Sequence, residues 1–208
     1  MITIVITATN KFGDYANPFI ESIRKYEPRA NIILIDNASS EPFNIQGVNI
    51  IRNETQQTWS HMLNTGANAA PDGWLMLFND DVLCYGAFAE TVGGFDKNTL
   101  YGPNILKKPA FWVGKPIQYL YGWMIIVQKT AFLDVGGFDE NYIAAGVDDI
   151  DFCWTAQNKG YRIKSVKLPF THIADQPDFD HRRKKWDDKY EQNMEKNRQR
   201  FAEKVKNG

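Results

Sequence analysis

From Trp74 to Phe78 the chain is wholly apolar, and it then breaks into Asn79-Asp80-Asp81 before Val82. Such a run reads as a strand. Its abrupt end in acids suits an open α/β sheet, whose ligands bind in the crevice beyond the carboxyl ends of the strands. Two adjacent carboxylates repel, and both stay ionised more easily when a cation lies between them and an outside group. The stretch therefore predicts a strand that delivers a divalent metal site.

The residues before it alternate between two periodicities. Residues 2–8, 31–35, 48–52 and 73–78 read as strands, and residues 17–26 and 58–70 as helices, the second stopped by Pro71-Asp72-Gly73. Short strands alternating with helices predict a mainly parallel, doubly wound sheet. After Asp81 the pattern loosens. A short helix is expected over 87–92, extended chain over 99–106 and 118–127, and another short helix over 129–134. A helix then runs over 149–159 with Gly160 as its stop, followed by a late strand over 161–166. Beyond Arg182, the spacing of Trp186, Tyr190, Met194, Phe201 and Val205 predicts an amphipathic helix.

At 208 residues and 43% hydrophobic, the chain suffices for one domain with a substantial core. A net charge of −1 argues against a generic nucleic-acid binder, yet the charge is unevenly spread. Residues 181–206 carry ten Lys/Arg against five Asp/Glu. Cys84 and Cys153 are too few for a disulfide scaffold, so packing roles and a reducing compartment are expected. The N-terminal residues have no charged leader region and read as a first strand rather than a signal peptide. No apolar stretch approaches the ~20 residues of a membrane span. The expectation is a cytoplasmic protein, attached to a membrane at most through its surface.

Several groups stand out, each with a plain structural explanation beside the functional one. Asp36-Asn37-Ala38-Ser39-Ser40 follows the second strand; it reads equally as a side-chain-capped turn and as acceptors for nucleotide hydroxyls. Asp80 and Asp81 divide evenly between metal ligands and caps of a following helix. Asp148, Asp149 and Asp151 open a helix, where the macrodipole by itself accounts for acids. A lone histidine such as His172 is more often structural than a ligand, and an aromatic at a strand end such as Trp123 is more often core than pocket. His61 and His181 show no clear role.

In order and spacing, several of these groups resemble family 2 glycosyltransferases of the GT-A fold. They are residues 4–10, Ile33 to Ser40, Asn64-Thr65-Gly66, Phe78 to Val82, Gly136-Gly137-Phe138-Asp139-Glu140, Asp148 to Phe152, and His172. The resemblance covers roughly residues 2–175. It implies a single GT-A domain over 1–175, with a nucleotide-binding half to about residue 82 and an acceptor-binding half from 83; beyond it, the basic loop and amphipathic helix over 176–208 are expected to pack on the same domain. It implies that Thr7, Thr9, Asn10, Asp36 and Asn64 hold the nucleotide. Asp80 and Asp81 would hold Mn²⁺ or Mg²⁺ against the diphosphate, with Asp81 the firmer ligand because Asn79 takes the first place of the acidic triplet. His172 would be a further metal ligand, a role neutral imidazole suits.

By the same resemblance Asp149 is the base that accepts the acceptor hydroxyl's proton during inversion. Asp148 and Trp123 would line the acceptor site, and Asp151 would support the helix. Outside the resemblance, the run Asp180 to Lys185 reads for most of its residues as a solvated helix face, with a loop that lends positive charge to the departing diphosphate, or contact with an anionic membrane surface, as the alternatives. A nucleotide-sugar donor, UDP-type favoured, and a saccharide acceptor are implied as partners. A silent nucleotide-sugar or glycan-binding module would keep the fold without turnover. A phospho-accepting receiver domain fits the acids after Gly137 and the extra length poorly, and a nucleotidyltransferase lacks its Gly-rich, Lys-bearing phosphate loop.

Overall fold

A computed structural model describes residues 1–10, 12–108, 113–114, 116–143, 146–176 and 188–207. The expected basic loop at 180–185 and Trp186 fall outside the described residues. In chain order the elements are β1 (Ile2–Ala8), α1 (Asn17–Tyr26), β2 (Asn31–Asp36), β3 (Asn49–Arg52), α2 (Trp59–Ala69), β4 (Trp74–Asn79), β5 (Val82–Cys84) and α3 (Ala89–Gly93). There follow β6 (Thr99–Gly102), β7 (Ile105–Lys108), β8 (Ile117–Leu120), β9 (Met124–Gln128), α4 (Lys129–Val135), α5 (Asp148–Asn158), β10 (Arg162–Ser165), β11 (Phe170–His172) and α6 (Asp188–Asn207).

Seven strands form the central sheet in the order β10-β6-β9-β4-β1-β2-β3. The four on the β3 side are parallel, β9 is antiparallel to both β4 and β6, and β10 is parallel to β6. The sheet is mainly parallel and flanked by helices, as the alternation predicts, and it is mixed through β9, as the expected GT-A fold requires. The inner strands are apolar along most of their length because both faces are covered. Val5, Ile33, Leu75 and Leu77 pack on one side in a cluster that takes in residues of α2, α4 and α5. Ile4, Ile6, Leu34, Met76 and Phe78 pack on the other with Phe19, Ile20 and Ile23 of α1.

Gly66 lets α2 lie directly on β1. A Cβ there would overlap the Cγ1 of fully buried Val5. We expect Gly66→Ala to cost about 1–3 kcal/mol of stability, the usual range for overpacking, read as a lower urea midpoint at unchanged slope. A variant as stable as the parent contradicts this packing.

The expected extended stretches each divide in two. Residues 99–106 become β6 and the start of β7, and residues 118–127 become β8 and β9, hinged at Tyr121-Gly122-Trp123. The division follows from pairing: β7 and β8 form their own antiparallel ribbon while β6 and β9 join the main sheet. A second ribbon, β5 with β11, has strands of three residues each, too short to carry a hydrophobic period.

Helix ends follow their local chemistry. Thr58 caps α2 by accepting from the His61 N–H at 3.2 Å, and Gly136 ends α4 in the left-handed region at φ 98°. Gly160, past the end of α5, has φ 89°. The C-terminal helix α6 buries Met194 and Phe201, the latter edge-on to Trp154 of α5 at 6.0 Å. Lys204 Nζ lies 2.7 Å from buried Asp151, and Arg200 donates to Asp139 at 2.8 and 3.0 Å. Asp151 thus anchors α6. Both cysteines are buried free thiols, and burial pushes that of Cys153 far up, so it stays a packing group. No helix among the described residues is long and apolar enough to cross a membrane.

Candidate active site

The carboxyl ends of β1, β2 and β4 meet along one rim of the sheet. Register places Ala8 beside Asp36 and Thr7 beside Asn79. At the β2 end, the fully buried Asp36 carboxylate accepts from the Ser39 N–H (3.0 Å), the Phe43 N–H (3.4 Å) and the Arg52 guanidinium. Burial alone pushes its pKa up, but these donors outweigh burial and hold it below the ordinary carboxylate value. A contact from Asp36 to a nucleotide therefore requires one of these partners to give way.

Asn10 joins the β1 and β2 loops. Its N–H donates to Ser39 Oγ at 2.8 Å, and its Oδ1 accepts from the Ser40 N–H at 2.9 Å. Asn10 and Ala38 both sit in the left-handed region, at φ 53° and 54°, a strained conformation for alanine that clusters at functional loops. A cavity of ≈ 430 Å³ lined by Asn10, Ser39, Ser40 and Phe43 opens here. A larger one of ≈ 1200 Å³, lined in part by Met1, Asn31 and Gly73, lies at the opposite, amino-terminal ends of the strands, away from the acids. Strand direction, not size, picks out the site.

The β5–β11 ribbon assembles the candidate metal pair. It sets His172 opposite Val82, and the Ile173 N–H donates to the Asp81 carbonyl at 2.8 Å. His172 Nε2 consequently lies 3.2 Å from Asp81 Oδ1, and His172 Nδ1 lies 3.1 Å from Asp175 Oδ2. Trp123 stacks on the imidazole at 5.3 Å with planes 6° apart, and Tyr121 meets it edge-on at 6.1 Å. Burial opposes a charge on His172, yet Asp81 and then Asp175 outweigh it and hold its pKa above the ordinary value.

These donors fit a hard divalent cation. An aspartate oxygen and an imidazole nitrogen are adjacent, and the second ring nitrogen lies 3.1 Å from the Asp175 carboxylate, out of line for a hydrogen bond in the ion-free chain but close enough to form one on a small turn of the ring or carboxylate. Among the described residues no three His, Cys, Asp or Glu side chains group closely enough to hold an ion alone. Two protein ligands, with substrate phosphates and water completing the shell, is the arrangement such ions commonly adopt on phosphate substrates. Asn79 has a partner of its own: its Oδ1 accepts from the Trp59 Nε1–H at 3.0 Å.

Asp149 opens α5 and is half-buried. Its Oδ2 accepts from the Gly122 N–H at 3.2 Å, and a Cβ on Gly122 would come within 3.0 Å of that oxygen. Tyr121 connects the two clusters. Burial raises its pKa first, and the carboxylates of Asp175, Asp149 and Asp81 each raise it further. One phenol therefore feels the metal turn and the α5 acid together.

The structure thus brings Asp81, His172 and Asp149 to one place, with Asp80 on the same turn. Thr9 and Asn10 lie at the β1 rim, Thr9 half-buried and Asn10 exposed. Besides Asp36, four further expected contact residues face protein. Thr7 is buried, its hydroxyl toward the Phe78 carbonyl at 3.5 Å. Asn64 is a staple: its amide pairs with both the N–H and the carbonyl of Phe138 at 2.9 Å and reaches Glu140 at 2.7 Å. Gly137 permits this, because a Cβ there would come within 2.7 Å of Asn64 Oδ1. Trp123 is 6% exposed, with its ring stacked on His172 and its indole N–H without a hydrogen-bond partner among the described residues. Asp148 is enclosed by the Ser60 hydroxyl and the Gly146 N–H.

The sequence reading did not single out Asp175, Tyr121, Trp59 or Ser60. Of these, Asp175 alone left a signal, an acid three residues after His172.

Residues 3–131 match the family model described as Glycosyl transferase family 2. A search of curated proteins by sequence finds no match. Among solved structures, GalNAc-T7 with UDP, GalNAc and Mn²⁺ superposes with a TM-score of 0.69 at 14% identity, over 80% of this chain and 42% of that one. The mannosyltransferase PcManGT from Pyrobaculum calidifontis, in complex with GDP-Man and Mn²⁺, gives 0.60 at 16% identity, over 79% and 54%. TarS of S. aureus, residues 1–349, gives 0.59 at 13%, over 81% and 59%. The chain thus spans about half the length of these structures, and the likeness establishes the shared fold.

Proposed function

This chain belongs to glycosyl transferase family 2, and from that membership we propose that it moves a sugar from a nucleotide-diphospho-sugar to an acceptor hydroxyl, with Mn²⁺ or Mg²⁺ and with inversion at the anomeric carbon. The observation that carries the proposal is the approach of His172 Nε2 to Asp81 Oδ1, 3.2 Å apart at the carboxyl end of β4. Asp81 and His172 would hold the ion, Asp80 would face the ion or the ribose, and Asp175 and Trp123 would fix the imidazole. When bound, the ion neutralises charge on the departing diphosphate.

The rest is work for the chain's own residues. The β1 and β2 loops, braced by Asn10 and Asp36, form the wall against which the nucleotide lies. Asp149 accepts the proton of the acceptor hydroxyl while that oxygen attacks the anomeric carbon. The bond from that carbon to the phosphate oxygen breaks, and the nucleoside diphosphate leaves. The Gly122 N–H, holding Asp149 Oδ2, fixes the direction of the carboxylate. The ligands of the two solved relatives make UDP and GDP the first donor types to try, UDP favoured.

A thermal-shift panel of nucleotide-sugars with and without Mn²⁺ tests this. A ligand at 100 times its Kd stabilises by about 2.7 kcal/mol, a rise on the order of 5–10 °C for a chain of this size. The expected result is such a rise for one nucleotide class, only with the metal present. No metal-dependent rise with any donor contradicts the proposal.

A further inference from the structure

The first turn of α2 reaches both parts of the site. Trp59 Nε1 donates to Asn79 Oδ1 at 3.0 Å, on the turn that carries Asp80 and Asp81. The next residue, Ser60, is 0% exposed and donates its hydroxyl to Asp148 Oδ1. Asp148 immediately precedes Asp149, and its other oxygen accepts from the Gly146 N–H at 3.1 Å. Thr58 caps this turn, so its direction is fixed by backbone as well as by side chains.

Burying a carboxylate is costly unless it is well bonded. Asp148 is 2% exposed, and burial drives its carboxyl up while the Ser60 hydroxyl and nearby backbone N–H groups hold it back. Enclosed in this way, it does not face the crevice, so the transfer step gives no reason for an acid here. Its partner does. Ser60 belongs to a different element from Asp149, and the bond crosses from the helix between β3 and β4 to the helix that presents the base.

We propose that Ser60 is a positioning residue: through Asp148 it fixes the first turn of α5, and hence Asp149 against the Gly122 N–H, while Trp59 beside it fixes the metal turn through Asn79. Two consecutive side chains thereby hold the base and the metal pair in one frame. The inference rests on the roles given above to Asp149, Asp81 and His172. It adds a coupling element that touches neither substrate nor ion.

Ser60→Ala, Ser60→Thr and Trp59→Phe in the full chain separate the two arms. The readouts are calorimetric binding of Mn²⁺ with the nucleoside diphosphate, and transfer kinetics with the donor that the thermal-shift panel returns. Ser60→Ala is expected to lower kcat about 10- to 100-fold with the nucleoside diphosphate Kd within about twofold, the pattern of a misplaced base. Ser60→Thr keeps the hydroxyl and recovers most of that loss. Trp59→Phe raises the Kd about 5- to 10-fold, the value of one lost hydrogen bond.

A folded Ser60→Ala with parental kcat overturns the inference, as does a parallel loss of kcat and binding, which marks general loosening. Ser60→Thr no better than Ser60→Ala overturns it too. Should Ser60→Ala not fold, an unchanged Kd in folded Trp59→Phe decides against it. A parent chain that binds no nucleoside diphosphate with Mn²⁺ overturns the transferase reading itself. A parent that binds and turns over alongside an unaffected Ser60→Ala overturns this inference alone.

Discussion

Asp149→Asn is expected to lower kcat by about 10²–10⁴-fold, the usual loss on removing a general acid–base group, while leaving the binding of Mn²⁺ with a nucleoside diphosphate unchanged. The substitution is nearly isosteric. In the parent Asp149 Oδ2 accepts from the Gly122 N–H at 3.2 Å and Oδ1 from the adjacent Ile150 N–H at 2.9 Å; the amide oxygen keeps the bond to Gly122, which ties the first turn of α5 to the β8–β9 hinge, and only the bond to Ile150 is lost. What the amide lacks is the ability to take a proton from the acceptor hydroxyl. A loss confined to kcat, with donor affinity intact, is the signature of an interaction made in the transition state. Near-parental transfer would remove Asp149 from the mechanism and leave its position at a helix N-terminus as the whole explanation.

The second large effect is on the metal. With two protein ligands in the proposed shell, His172→Ala is expected to weaken Mn²⁺ binding by at least about 100-fold, and Asp175→Asn by about 10- to 100-fold, as for loss of a carboxylate that orients a metal-bound imidazole. Both are read by calorimetry with Mn²⁺. The pH dependence has a definite sign. In the ion-free chain Asp81 and Asp175 hold the His172 pKa above its ordinary value against the opposing effect of burial.

A proton and a cation compete for the same nitrogen. Mn²⁺ affinity therefore rises as pH increases through that raised pKa and falls below it. Stability of the ion-free chain moves the other way: a raised histidine pKa contributes stability that is complete below the unfolded-state pKa and is lost as pH rises through the folded one. His172→Ala removes both dependences. If Mn²⁺ affinity does not change with pH in the parent, His172 is not a ligand.

Much of the central sheet was legible because it is local. The run Ile4-Val5-Ile6 and the helical spacing of Phe19, Ile20 and Ile23 carry their periods within a few residues, and α1 falls on the expected residues 17–26. The β5–β11 ribbon was not legible, although it brings Asp81 to His172. Its strands are three residues long, and the paired residues Val82 and His172 stand 90 positions apart in the chain, so only tertiary pairing defines them.

Asp148 and Asp149 show a different limit. Neighbours on a helix point about 100° apart, so one acid faces Ser60 and the other Gly122, and a run of acids does not disclose which. Trp123 and Asn64 stand where a ligand contact was expected. Each is instead used on protein, Trp123 as the plane beneath His172 and Asn64 as the staple to Phe138. Asn64 thus had a nearer hydrogen-bond partner supplied by the fold, whereas Trp123 engages protein through its ring and leaves its buried indole N–H without a partner among the described residues.

Metal binding at this rim depends on one juxtaposition, Asp81 with His172. Crystals of the full chain grown with Mn²⁺ and UDP or GDP, with anomalous scattering recorded at the manganese edge, test it most directly. The predicted result is one anomalous peak within coordination distance of both Asp81 Oδ1 and His172 Nε2, bridged to the diphosphate. Nucleotide bound at the β1–β2–β4 rim with no manganese at that pair would contradict it.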